Sequence, residues 1–538
     1  MNVCLPILFA VLFAFAHTQS PLYYSNQNQY FLSGLADGGV GNLSADWLAN
    51  TADPVPAFSA FVAFCVRYLG TWPFHAMYFV ALMGYFLALW WLVRKLPFAP
   101  SENGQWVVAV LLIVSHAGIV RFASERWLGA DYPWFFHCGL ASQYVLGPGL
   151  QPSVIGVLLV AAVAAYLNER PVLAAGMASG ANLIHATYLL PAAMLIVGFL
   201  VGEVLRKRWR SAVVSAILAL LLVLPTVVYD LRTFAPTDSK SFAESQRILV
   251  EIRIPHHAQP ARWFDWVAGV QVIWMLLGLV AVRRTRLFVP FCVTYSLVAV
   301  GTLAVIVTNH LTLSLLFPWR VTAVLVPVST AVLAAWVNSG LERLATKFTA
   351  TTKWVEASPR FSFVRLGLFV VSLFSALSGI VVMVFHLGYR EPEYENPVLE
   401  HVARTRQPGD LYLVPAKIPK PSAARGVYSN TFVRPPAANR PGIFEIARFR
   451  LATGAPVFVD FKSIPYRDDE VLEWYRRVAA TEKWYTHPDW DANGAFDEIT
   501  REGITHVVAP TSVNLNCSRL ELVFEGGAYR VYVLRSRK

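Results

Sequence analysis

Apolar segments near the length of a bilayer crossing recur throughout residues 3–387, and that repetition constrains the fold more than any other feature of the sequence. A crossing helix needs about 20 predominantly apolar residues, and about eleven segments approach that length. They are 3–19, 72–93, 105–121, 152–167, 172–187, 188–204, 211–229, 265–282, 288–308, 313–337 and 366–387. Several fall near the lower length limit, and 172–187 with 188–204 would also suit a tight re-entrant pair. Charged residues make up 15% of the 538, where a soluble globular chain carries about 25%. The expectation is an α-helical polytopic membrane protein.

Threading the chain through these segments gathers the basic connections on one side: Arg94-Lys95, Arg206-Lys207-Arg208 with Arg210, Arg283-Arg284 with Arg286, and the stretch from Arg343 to Arg365. The positive-inside rule assigns that side, and the N-terminus, to the cytoplasm. An odd number of crossings, starting inside, then leaves the C-terminus outside. Aromatic residues crowd the segment edges (Trp90, Trp91, Trp127, Trp134, Trp263, Trp266, Trp319), as an interfacial belt requires. A net charge of +11 would suggest nucleic acid in a soluble protein. Here much of the excess sits in connections that meet anionic headgroups, so membrane lipid is the expected partner and nucleic acid is not. Five scattered cysteines without a CxxC exclude a disulfide scaffold. Residues 3–16 resemble a signal peptide ending at Ala14-Phe15-Ala16, but no Lys or Arg precedes the apolar run, so a retained first helix is expected.

Two regions follow. Residues 1–390 form the transmembrane domain, with a long first outer loop at 20–71. Residues 391–538 form a soluble domain on the outer side. In loop one, Asp53-Pro54 reads as a helix start, and the apolar stretch after it, with Arg67, reads as a helix lying along the interface. The soluble region opens with a Pro-rich irregular stretch, 415–441. It then alternates like a small α/β domain, with strands at Leu411–Val414, Val457–Asp460 and His506–Ala509. A terminal hairpin pairs Leu520–Phe524 with Tyr529–Leu534 and turns at Gly526-Gly527. Helices at Asp468–Val478 and Ala495–Glu502 imply βαβ connections. There is no GxGxxG and no P-loop, so nothing supports nucleotide binding.

Chemistry-bearing residues collect in the outer connections. Loop one holds Asp37, Asp46 and Asp53. A carboxylate at a partly dry membrane surface can have its pKa raised and serve as a base or hold a divalent cation. Structural roles compete with that reading: capping for Asp46 and Asp53, and a turn at Asp37-Gly38-Gly39. The run Arg253-Ile254-Pro255-His256-His257 in loop 230–264 sets two imidazoles beside a guanidinium, a combination that binds phosphate oxygens or, through the histidines, a metal; a solvated loop is the alternative. Arg320, closing Phe317-Pro318-Trp319-Arg320 at the mouth of a crossing, can clamp a lipid phosphate or snorkel to ordinary headgroups. His185, His310 and Glu125, the last between Arg121 and Arg126, also sit at outer ends. Each is weak alone; their convergence on one face carries the weight.

The blocks SNQNQYFLSGLA (25–36), DWLANTADPVPAFS (46–59), NLIHATYLLP (182–191), RIPHH (253–257), FPWR (317–320) and VFVDFKSIPYRDDEVLEWYRR (457–477) resemble an uncharacterised family of bacterial polytopic proteins. The layout is similar to that of the GT-C glycosyltransferases: many crossings, a long first outer loop with an acidic residue and an interfacial helix, and an outward C-terminal domain. That resemblance implies a sugar moved from a polyprenyl-phosphate donor to a glycan, lipid or protein acceptor. Inverting displacement needs a base, here Asp46 with Asp37 second, and cations for the phosphate, here Arg253, His256, His257 and Arg320. Asp53, His185, Glu125 and His310 would support them. No DxD or ExD pair stands out in the outer loops, so a Mg2+ or Mn2+ requirement stays open. Two rivals are a lipid-linked glycan flippase or transporter, which would place ionisable residues at the bilayer midplane, and a non-catalytic polysaccharide assembly protein.

Overall fold

The computed structural model describes residues 4–349, 360–389, 393–419 and 445–535. A helix stands at each expected apolar segment. Trp72–Val93 and Phe288–Thr308 match to the residue, and Trp209–Thr233 runs longer at both ends. Among the described residues, six helices are long and apolar enough to cross a bilayer. A seventh crossing arises if Glu102–His116 and Gly118–Leu128, bent by 54°, are counted as one. Cys4–His17, Pro152–Leu167 and Trp266–Ala281 are apolar but shorter. Pro171–Gly180 rises only about 15 Å, half the hydrocarbon thickness. It returns through short 3-10 turns into Leu189–Leu205, as a re-entrant pair would. The protein is thus an α-helical polytopic membrane protein with a small C-terminal α/β sheet region.

The segment expected at 313–337 is displaced. A short helix, Leu311–Leu315, ends in a turn at Phe317, whose φ is 48°, and the long helix restarts as Thr322–Thr349. Apolar composition continues through the turn, which is why periodicity missed it. Pro318 lacks the N–H that a continuing helix would need.

Helix direction sorts the connections into two ends. Arg94, Lys95, Arg283 and Arg284 sit just beyond helix ends on one side, and Arg343 lies in the last third of the Thr322–Thr349 helix. Loop 20–71, segment 129–151, loop 234–264 and the turn at 316–321 lie at the other, against the soluble region. In loop one, the Pro56–Tyr68 helix buries Phe58, Val62 and Cys65 and exposes Phe64 and Tyr68, as an interfacial helix should. Its N-cap is Val55 with Pro56 following, which corrects the start expected at Asp53-Pro54. Asp53 instead accepts the Val55 N–H at 2.9 Å. Gly34 lets this helix lie close: a Cβ there would stand 2.5 Å from the Ser59 carbonyl oxygen.

In the soluble region, strands β1 (Tyr412–Leu413), β2 (His506–Pro510), β3 (Leu520–Gly526) and β4 (Tyr529–Leu534) form a sheet in the order β1-β2-β4-β3. The first pair is parallel and the others antiparallel. The parallel crossover runs through helices Asp468–Thr486 and Ala495–Arg501, the βαβ connection expected. Val457–Asp460 is not a strand, a correction: only Val457 bridges Tyr412, because the chain then turns at Asp460, whose Oδ1 accepts the Ser463 N–H. Residues 420–441 of the Pro-rich stretch, and the boundary at 390/391, lie outside the described residues. The core around Trp474 includes Ile248 and Leu249 and is flanked by Trp47 and Leu315, so the outer loops complete it.

Candidate functional site

Three carboxylates of loop one have different surroundings. Asp46 is fully buried. Its Oδ2 accepts the Arg450 Nε–H at 2.7 Å and the Val457 N–H at 2.8 Å, and its Oδ1 accepts the N–H groups of Leu48 and Ala49 at 2.9 and 3.4 Å. Arg450 also pairs with Asp460, giving a buried Asp46–Arg450–Asp460 bridge that fastens loop one to the soluble region. A carboxylate has about four lone-pair positions, and all four are taken. These contacts give Asp46 the capping and anchoring duties that compete with its expected role as a base. Beside it, Gly41 meets Gly454 so closely that a Cβ would stand 2.4 Å from the Gly454 carbonyl oxygen. Asp37 is exposed at the end of the short Leu32–Asp37 helix, with its backbone carbonyl accepting from Arg67. Asp53 is half-buried; burial pushes its carboxyl up, against the lowering effect of hydrogen bonds from Ser59 and Val55. It lines a narrow cleft with Gln29, Tyr30, Ile464, Pro465 and Tyr466, with room for about one water.

The basic candidates do converge. A π-helical turn, Ile248–Arg253, delivers Arg253 and then the turn Pro255–Ala258 with both histidines. Arg253 donates to the Lys462 carbonyl and lies 5.4 Å over the Phe461 ring. Its buried Nε has no hydrogen-bond partner among the described residues. His256 and His257 have ring centroids 4.1 Å apart. His257 Nδ1 donates to the Ala141 carbonyl at 2.8 Å, which leaves Nε2 as the acceptor in the neutral ring. Ala141 and Ser142 hold that carbonyl in place with φ of 56° and 53°, a costly conformation that packing must support. Trp319, fully buried, donates Nε1–H to the His257 carbonyl at 3.1 Å, so the FPWR turn braces the histidine turn. The adjoining Arg320 donates to His185 Nε2 at 3.4 Å and lies 5.4 Å over the Tyr188 ring. Tyr30 stands edge-on to His185 at 5.7 Å.

Sequence reasoning missed the soluble region's contribution. Lys462 donates Nζ–H to Asn26 Oδ1 at 2.8 Å, and Asn26 in turn donates to the Tyr144 hydroxyl at 3.1 Å. Gln29 donates to the Tyr466 hydroxyl at 2.6 Å. Glu445 accepts the N–H groups of Phe461 and Lys462 at 2.6 and 2.9 Å. Burial and the nearby Asp460 push its carboxyl up to about 7. Burial and Arg253 bring the Lys462 ammonium down to about 8. Burial lowers His256 to about 4, with help from Arg253 and Lys462, and His257 is also lowered. At neutral pH the site's fixed positive charge therefore lies on arginine and lysine, and the imidazoles are neutral.

One supporting candidate caps a helix, and another lies on the helix that carries a buried ion pair. His310 Nδ1 accepts the Leu313 N–H at 3.4 Å and caps the Leu311–Leu315 helix. Glu125 is half-buried on the Gly118–Leu128 helix, where Arg121 pairs with buried Asp131 at 2.7 Å. Among the described residues, no group of three or more His, Cys, Asp or Glu side chains is arranged to hold a metal ion.

Fold and site together define an integral membrane protein of many helices, with a cationic, aromatic-walled site at one end, closed by a sheet-bearing region. Residues 438–481 match a family model described as a domain of unknown function (DUF6798). No curated protein matches the chain. Among solved structures, the chain is similar to ArnT from Cupriavidus metallidurans bound to undecaprenyl phosphate. The identity is 12% and the TM-score 0.46, covering 99% of this chain and 98% of that one. The apo form of the same protein gives 14% identity and 0.47, covering 100% and 99%. The Archaeoglobus fulgidus oligosaccharyltransferase AglB, in complex with an inhibitory peptide and a dolichol-phosphate, gives 11% and 0.45, covering 94% and 69%.

Proposed function

We propose that the protein is a GT-C-like glycosyltransferase that moves a sugar from a polyprenyl-phosphate donor to an acceptor outside the cytoplasm by inverting displacement. The observation that carries this reading is the convergence of Arg253, Arg320 and Lys462 from three distant segments at one end of an apolar helix array. A lipid-borne phosphate needs that combination: apolar helices for the chain and fixed cations at the membrane edge for the head. Tyr30, Tyr188 and Tyr466 supply aromatic walls of the kind that sugar faces pack against.

The acceptor hydroxyl oxygen attacks the anomeric carbon, and the bond from that carbon to the phosphate oxygen breaks with its electron pair. Polyprenyl phosphate leaves with an added negative charge, which Arg253, Arg320 and Lys462 neutralise while His256, His257 and His185 offer ring N–H or lone pairs. The hydroxyl proton goes to a carboxylate. Asp53 takes that role here, because its carboxyl is raised and lines the cleft shared with Tyr30 and Tyr466; Asp37 is second. The basic helix ends would face the cytoplasm and the site would face outward from the bacterial inner membrane. The natural acceptor is a glycan, a lipid or a protein.

Titrating purified protein with undecaprenyl phosphate in detergent micelles tests this reading. Arg253→Gln and Arg320→Gln are each expected to weaken binding about 10- to 100-fold, the worth of a hydrogen bond to a charged group. Unchanged affinity in the folded double variant would refute it.

A further inference from the structure

A cavity of about 500 Å3 opens at the opposite, basic end of the helices. It lies between the end of the Trp266–Ala281 helix, the Thr322–Thr349 helix and the connection at Pro97-Phe98. Its walls include Phe98, Val280 and Trp336, and its rim carries Arg283, Arg284 and Arg343. Arg283 and Arg284 are exposed, and among the described residues neither forms an ion pair with a carboxylate. Glu342, on the Thr322–Thr349 helix, accepts from the Ser101 hydroxyl at 2.6 Å and from the Ser101 N–H at 3.2 Å. Trp336 and Val337 are about half exposed on the same helix, so the apolar wall continues onto the lipid-facing surface. A Cβ built at Gly340 meets nothing within 4 Å, so the helix surface there is open space.

We propose that this cavity is a binding site for one anionic phospholipid, its phosphate between Arg283, Arg284 and Arg343 and its acyl chain along Trp336 and Val337. Charge complementarity fixes the occupant. A neutral lipid would leave the guanidinium groups of Arg283 and Arg284 without a counter-charge, whereas basic clusters between helices at the membrane edge attract anionic heads. A free phosphate would leave the apolar wall uncovered. This site is remote from the cationic cluster and independent of the reaction proposed there.

Native mass spectrometry of the full-length protein, supplied with equimolar phosphatidylglycerol and phosphatidylcholine, tests the assignment. The wild type is expected to retain phosphatidylglycerol preferentially. Arg283→Gln with Arg284→Gln is expected to reduce that retention about 30-fold, from a contribution of about fivefold per basic residue. The second variant, Gly340→Leu, keeps every charge and fills the open space; it is also expected to lose the bound lipid, which excludes misfolding or altered topology as the cause. Equal retention by wild type and Gly340→Leu, or no preference for phosphatidylglycerol in the wild type, would overturn the proposal.

Discussion

A carboxylate serves as a base only if a lone pair faces the proton it must take. Asp46 offers none, because Arg450 and three backbone N–H groups fill it. Asp53 lines the cleft, accepts the Val55 N–H through Oδ1, and has a carboxyl raised by burial. The two should therefore respond oppositely to the same change. Asp53→Asn is expected to cut transfer about 10²–10⁴-fold with little change in Tm, read by turnover and thermal denaturation on one sample. Asp46→Asn is expected to cost about 3 kcal/mol of stability, as when one partner is lost from a buried ion pair, while the folded fraction keeps its turnover. Lys462 makes a pH prediction. Its ammonium, brought down to about 8, is charged and ready for phosphate below that pH. Above pH 8 the free protein must take up a proton to bind, so undecaprenyl-phosphate affinity should fall as pH rises. Lys462→Arg should move that fall to higher pH. The sequence reading of Asp46 did not anticipate this pairing because Arg450 lies 404 residues away. Nothing in the spacing around Asp46 records Arg450.

Among the elements, long apolar helices were the most legible, because their length alone separates them from everything else. The turn at 317–320 was not, since its residues are apolar and only Pro318 hints at a break. Its function was partly visible all the same: Trp and Arg in adjacent positions at a membrane mouth became the brace of the histidine turn and a cation of the site. Arg253, His256, His257, His185 and Arg320 were named from sequence and lie together. Lys462, Tyr466 and Glu445 were missed because they enter from the soluble region, with no local pattern to tie them to a membrane loop. The block containing KSIPY was the available signal. The contact that seats this region is exacting at Gly41, where φ is +56° and a Cβ would strike the Gly454 carbonyl. Gly41→Val is expected to loosen the docking, costing about 1–3 kcal/mol of strain. Limited proteolysis should show faster cleavage between residues 390 and 538 in that variant than in wild type.

At the scale of the whole molecule, the chain separates two kinds of positive charge. One set lies near the helix ends at one surface; the other is assembled at the opposite surface from loops and the sheet-bearing region. If the first set faces the cytoplasm, an alkaline phosphatase fusion after Lys538 should be active and a cytoplasm-only reporter there silent. The central claim is that the second set holds the phosphate of a lipid-borne sugar donor. A structure determined with bound undecaprenyl phosphate tests it most directly. The account predicts phosphate oxygens within about 3 Å of the Arg253 and Arg320 guanidinium groups and the Lys462 ammonium, with the prenyl chain descending among the apolar helices. A phosphate seated at the opposite basic end, or away from all three cations, would contradict it.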